Sequence, residues 1–132
     1  MTTTEAGGLR VVVADDDVLL REGLSSLLTR SGFDVVGQAG DADELLEQVR
    51  EHEPRIAIID IRMPPTHSAE GLDAALQIRR ELPDVAMLLL SAHVEVEHAL
   101  ELLAGGQRTG YLLKSRVTAV DDFVETVRRV AR

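Results

Sequence analysis

Ile56-Ala57-Ile58-Ile59-Asp60 decides the fold. Four apolar residues, three of them β-branched, run without a polar break and stop at an acid. Such a run suits a strand covered on both faces, the place of a central strand in a parallel sheet. Working outward, Leu9 to Ala14 is a similar run broken only by Arg10, and Asp15-Asp16-Asp17 follows it. Val85 to Leu90 runs into Ser91, and Gly110 to Leu113 runs into Lys114. In a parallel α/β sheet the carboxyl ends of the strands share one edge, and ligands bind there. Carboxylates, a hydroxyl and an ammonium that are far apart in sequence are therefore expected in one pocket.

Helical patterns alternate with these runs. Leu20, Leu24, Leu27 and Leu28 recur at helical spacing and are closed by Ser31-Gly32. Phe33 to Ala39 mixes polar and apolar positions, which suits an edge strand. Asp41 or Asp43 can cap the next helix, with Leu45, Leu46 and Val49 as its buried stripe and Pro54 as its stop. Pro64 to Glu70 is a loop, because two prolines exclude helix and ladder alike. A third helix carries Ala75, Ile78 and Leu82 and ends at Pro83. The segment from Val94 to Ala104 has a poor stripe and ends at Gly105-Gly106. Val120, Phe123, Val124, Val127 and Val130 form the clearest stripe, for a fifth helix. Five strand–helix units with right-handed crossovers give an α/β, doubly wound (βα)5 sheet of order 2-1-3-4-5. That order places strands 1, 3, 4 and 5 side by side and the second strand at an edge.

Composition narrows the chemistry. At 132 residues the chain fits one domain, residues 9–132, with residues 1–8 read as a disordered tail. No cysteine is present, which removes disulfides, thiolate nucleophiles and zinc–thiolate sites. The net charge of −9 argues against DNA binding by this domain alone, since phosphate neutralisation needs Lys and Arg. The longest apolar run is six residues, against the roughly 20 that span a bilayer, so no membrane partner is expected. The first eight residues have no basic start and no apolar stretch, and a cytoplasmic location follows as the expectation.

Clustered carboxylates cannot all ionise without compensation. With no Cys or well-spaced His beside them, they favour a hard, oxygen-seeking ion, and Mg²⁺ takes one or two carboxylates plus waters and a phosphate. Lys114 suits pairing with an anion, and the Ser91 hydroxyl can donate to a phosphoryl oxygen. These parts fit phosphoryl transfer, where positioning and charge neutralisation dominate.

Val12-Val13-Ala14-Asp15-Asp16-Asp17, Ile58-Ile59-Asp60-Ile61-Arg62-Met63-Pro64, Leu89-Leu90-Ser91-Ala92 and Gly110-Tyr111-Leu112-Leu113-Lys114 together resemble a receiver domain of the two-component response regulators, whose sheet is flavodoxin-like. The resemblance covers about Leu9 to Ala131. Arg21-Glu22-Gly23-Leu24 and the Gly-Tyr-Leu-Leu-Lys run look most like the subfamily with a LuxR-type helix-turn-helix output. The resemblance implies that Asp60 is the phosphoacceptor, charged by a histidine kinase or a small phosphodonor. It implies Mg²⁺ on Asp16 and Asp60, on Asp15 through water, and on the backbone carbonyl of Arg62. Lys114 would pair with Asp60 and then with the phosphoryl group. Ser91 and Tyr111 would form the switch, with a homodimer as a further partner state. Ser115 follows Lys114 where many receivers have proline, and the Pro64–Glu70 loop is longer than usual.

Blander readings stand beside these. Asp15 and Asp16 could be helix caps, Asp60 a strand-end turn residue, Ser91 a cap and Lys114 surface charge. Tyr111 could be a packed aromatic with a satisfied hydroxyl. His52, His67, His93 and His98 read as solvent-exposed, and Asp17 as a bystander. The leading function is a phosphorylation-controlled signalling module, part of a longer DNA-binding transcription regulator, rather than an enzyme turning over an external substrate. A stand-alone or non-phosphorylated receiver that acts as a protein-interaction module is the alternative. A Mg²⁺-dependent hydrolase would want a second acid two residues after Asp60, where Arg62 stands. A flavodoxin-type cofactor carrier would want a phosphate loop after the first strand, where acids stand.

Overall fold

A computed structural model of the chain describes residues 8–92 and 108–132. Five strands form one parallel sheet: β1 (Arg10–Ala14), β2 (Asp34–Ala39), β3 (Ile56–Asp60), β4 (Ala86–Ser91) and β5 (Thr109–Leu113). Their order is β2-β1-β3-β4-β5, as the sequence pattern implies. The described helices are α1 (Val18–Arg30), α2 (Ala42–His52), α3 (Glu70–Glu81) and α4 (Val120–Ala131). The reading of residues 94–104 as a helix, the tail reading of residues 1–7, and His93 and His98 lie outside the described residues.

Alternation along each central strand builds two cores. Val12, Ala14, Ala57, Ile59, Met87 and Leu89 face one side, packed with Leu45 and Val49 of α2 and Ala75 and Ile78 of α3. Val11, Val13, Ile56, Ile58, Leu88 and Leu90 face the other, with Leu24 and Leu28 of α1 and Phe123 and Val127 of α4. Successive side chains of a strand point to opposite faces, so an unbroken apolar run feeds both layers. β2 pairs only with β1 and carries a register shift opposite Val11 and Val12, as an edge strand can.

Local chemistry sets the helix ends. Asp17 caps α1, its side chain accepting from the Leu20 N–H at 3.1 Å, so this acid is no bystander to the fold. The cap readings for Asp15 and Asp16 give way to it. The Ser31 N–H donates to Leu27 O at 3.0 Å, and Gly32 at φ +95 then turns the chain, a conformation few other residues adopt cheaply. Of the two acids before α2, Asp41 is the cap, accepting from the Glu44 N–H at 2.8 Å. Glu44 in return accepts from the Gly40 N–H at 2.7 Å, much as in a capping box. Val120, read as part of the α4 stripe, is 44% exposed as the first residue of the helix, which follows a 3₁₀ turn over Lys114–Thr118. The peptide after Lys114 is not cis, and the cis bond of the described residues is Pro64–Pro65.

Candidate functional site

The carboxyl ends of β1 and β3 are held so that their acids face each other. The Asp15 N–H donates to Ala39 O at 3.0 Å, which extends the sheet by one residue past β1. Asp15 Oδ1 accepts from the Asp17 N–H at 2.9 Å and turns the chain into α1. Arg21 on α1 donates to Asp15 O at 3.0 Å and to Gln38 Oε1 at 3.0 Å, tying the β1 and β2 ends together. After Asp60, the Ile61 N–H donates to Leu90 O at 2.9 Å, and the Gly71 N–H to Ile61 O at 2.8 Å. A Cβ on Gly71 would lie 1.8 Å from Asp60 O, so only glycine lets α3 start this close to β3.

Asp15 and Asp60 are buried, 1% and 4% exposed, while the Asp16 side chain is 32% exposed. One carboxylate oxygen of each of the three lies within 4.8 Å of the others. Lys114, just past β5, places its ammonium 3.0 Å from Asp15 Oδ2 and 3.2 Å from Asp60 Oδ2. Asp15 Oδ2 is otherwise without a well-aligned hydrogen bond. Burial and then the neighbouring Asp15 charge push the Asp60 carboxyl up to about 6, against the opposing pull of Lys114. Partial burial works against the Lys114 charge, but the hydrogen bond to Asp15 and the two nearby carboxylates prevail and raise its pKa.

The other expected residues are placed as follows. Ser91 is buried as the last residue of β4, opposite Leu113 and one position beyond the Asp60–Leu90 pairing. The Arg62 N–H donates to Asp60 Oδ1 at 3.3 Å, and the Arg62 side chain is exposed. Tyr111 sits mid-strand on β5, half-buried against the core on the α2 and α3 side. His67, read as merely solvent-exposed, does face solvent but also touches the pocket: its Nε2 lies 2.8 Å from Asp16 Oδ2. Its place in the loop leaving a strand's carboxyl end was the available signal, since such loops lie at the pocket edge.

The donor set is all oxygen, and three carboxylates against the Lys114 ammonium leave two negative charges among these four groups. A pocket so charged can hold a divalent cation or receive a group that brings one.

Residues 11–128 match the family described as the response regulator receiver domain. The chain is 33% identical over 125 residues to the oxygen regulatory protein NreC of Staphylococcus carnosus, covering 94% of this chain and 55% of that one. The signal receiver domain of the response regulator NarL from Mycobacterium tuberculosis superposes with a TM-score of 0.75 at 33% identity, over 92% of this chain and 98% of that one. A LuxR-family two-component response regulator from Aurantimonas does so with a TM-score of 0.72 at 28% identity, over 91% and 87%. The chain spans about half the length of the curated relatives it matches. Acids at the ends of β1 and β3, a lysine after β5 that bridges them, and a family match over nearly every described residue lead to one conclusion: this chain belongs to the response regulator receiver domains and is related to the LuxR-type regulators.

Proposed function

We propose that this receiver accepts a phosphoryl group on Asp60 and relays the change within a LuxR-type transcription regulator. The observation that carries the reading is the Lys114 ammonium held between two buried carboxylates, at 3.0 Å from Asp15 and 3.2 Å from Asp60. The all-oxygen donor set suits Mg²⁺, which Asp16 and Asp60, Asp15 through water and the Arg62 carbonyl would hold. When bound, the ion supplies positive charge to the oxygens of the incoming phosphoryl group.

At neutral pH a carboxyl with a pKa of about 6 is mostly ionised, and Asp60 is then a nucleophile. Its oxygen attacks the phosphorus of a kinase phosphohistidine or a small acyl phosphate. The O–P bond forms as the donor's N–P or O–P bond breaks, and the electron pair leaves with the donor. Lys114 is placed to move its pairing from the Asp60 carboxylate to the phosphoryl oxygens, and Ser91 to donate its hydroxyl to one of them. The added charge of about −1.5 to −2 biases Ser91 and Tyr111 between two arrangements. The partners are a histidine kinase or small phosphodonor and a second copy of the domain. The net charge of −9 argues against DNA as a partner of this domain alone, and the cytoplasm is the place of action. The role is signalling and not turnover of an external substrate.

Incubation with Mg²⁺ and acetyl phosphate, followed by intact mass measurement, should show one labile phosphoryl adduct on the wild type and none on Asp60→Asn. A wild type that gains no adduct from several donors, and no beryllofluoride complex, would leave a module that binds partners without phosphorylation.

A further inference from the structure

The loop from Pro64 to Glu70 is built more tightly than its exposure suggests. Glu70, the first residue of α3, accepts from the Thr66 N–H at 2.8 Å, from the Thr66 hydroxyl, and from the Ser68 N–H at 3.0 Å. The Thr66 hydroxyl first, and then these N–H groups, hold the Glu70 carboxyl down to about 2. The His67 N–H closes the turn on Met63 O at 2.9 Å. Between Thr66 and Ser68, His67 sits at φ +53, in the left-handed region that few residues with a Cβ adopt, histidine more often than most. Four hydrogen bonds thus fix a sparsely populated backbone conformation, and the imidazole it carries reaches the pocket mouth.

There its Nε2 meets Asp16 Oδ2 at 2.8 Å. An ionised carboxylate only accepts, so Nε2 carries the hydrogen and donates. His67 is not among the donors that converge within 4.8 Å of one another, and its contact with the cluster is the one bond to Asp16 Oδ2. We infer that His67 is a positioning residue: strapped by Glu70, it holds the Asp16 carboxylate in the orientation that receives the divalent ion. The inference rests on the reading of Asp16 as a metal ligand given above. Groups that hydrogen-bond a ligating carboxylate from behind act on metal affinity by about 10–100-fold. His67 and Asp16 are 53% and 32% exposed, so water competes for the contact and the effect falls at or below the low end of that range.

The test is calorimetric titration of Mg²⁺ into the whole chain as wild type, His67→Ala, His67→Gln and Glu70→Gln. His67→Ala should weaken Mg²⁺ binding by about threefold to tenfold, with the metal-free thermal midpoint unchanged. His67→Gln, which keeps a donor, should recover part of the loss. Glu70→Gln, which loosens the strap without touching Asp16, should weaken binding in the same direction. In the metal-free protein, the His67 ring nitrogen resonances should shift on Asp16→Asn. Wild-type affinity in both His67 variants, tighter binding in His67→Ala, or unmoved ring resonances would each overturn the positioning role. A wild type that takes up no Mg²⁺ would instead overturn the metal-ligand reading, and this inference with it.

Discussion

Asp60 is under opposed influences, and their balance has a measurable sign. Its carboxyl is raised from 3.8 to about 6, first by burial and then by the Asp15 charge, while Lys114 pulls the other way. The folded state therefore keeps the Asp60 proton to higher pH than the unfolded chain does. Between about pH 4 and 6 the native state binds more protons at this site, so the site's contribution to stability falls as pH rises. Above pH 6 the penalty for the buried charge is fully present, and below pH 4 it is absent. Asp60→Asn removes the charge and keeps the shape. Without divalent ions it should stabilise the domain at pH 7.5 by about 1–3 kcal/mol, read from urea unfolding, and the gain should vanish near pH 4. Equal stability of the two proteins at pH 7.5 would mean that Lys114 already compensates Asp60 in full. The residues that meet here were legible because strand ends announce themselves: Asp15, Asp60 and Lys114 each directly follow or close an apolar run, and Asp16 stands next to Asp15. His67 was not, since its reach depends on a left-handed backbone and on the bonds Glu70 makes, neither of which leaves a periodic trace. Tyr111, half-buried against the core, fits a packed aromatic as well as a switch.

At the level of elements, strands and helix starts were readable, and close approaches were not. The unbroken runs at Ile56–Ile59 and Val85–Leu90 suited strands covered twice, and Asp41 was one of two acids marked as a cap by type and place. Two helical glycines show what pattern alone leaves out. Gly23 in α1 and Gly71 in α3 look alike in sequence, each a weak helix former. A Cβ on Gly23 meets nothing within 4 Å, whereas a Cβ on Gly71 lies 1.8 Å from Asp60 O and 3.0 Å from Ile61 O. The same substitution should therefore change sign with position. Gly23→Ala should stabilise the domain by up to about 1 kcal/mol through helix propensity alone. Gly71→Ala should cost about 1–3 kcal/mol, and because the intruding methyl pushes on the backbone of Asp60 it should also slow phosphorylation by acetyl phosphate. Chemical denaturation of both variants beside a phosphorylation time course checks this, and a stabilised Gly71→Ala would show that α3 can slide away from β3 freely. The 3₁₀ turn after Lys114 went unread for a related reason: it changes where α4 begins, not the spacing of its apolar residues.

Across the whole molecule, charge and architecture pull in different directions. A net charge of −9 repels itself in any compact state, and the doubly wound fold gathers three of its acids at one sheet edge. Any salt relieves the diffuse part of that repulsion by screening, within a Debye length of about 10 Å at 0.1 M. A divalent ion that binds at the edge does something different, because it stabilises by mass action on the folded state alone. At a hundredfold excess over its Kd the gain is about 2.7 kcal/mol, or roughly 10 °C in Tm for a domain of this size. The two effects separate by titration. MgCl₂ should raise Tm along a saturating curve, beyond the shallow rise that NaCl gives at equal ionic strength. Asp16→Asn leaves the buried Asp15–Lys114–Asp60 group intact and removes a partly exposed carboxylate, so its response to MgCl₂ should fall towards the NaCl curve. If wild type and Asp16→Asn both follow the NaCl curve, the sheet edge relieves its charge by screening alone and holds no specific ion.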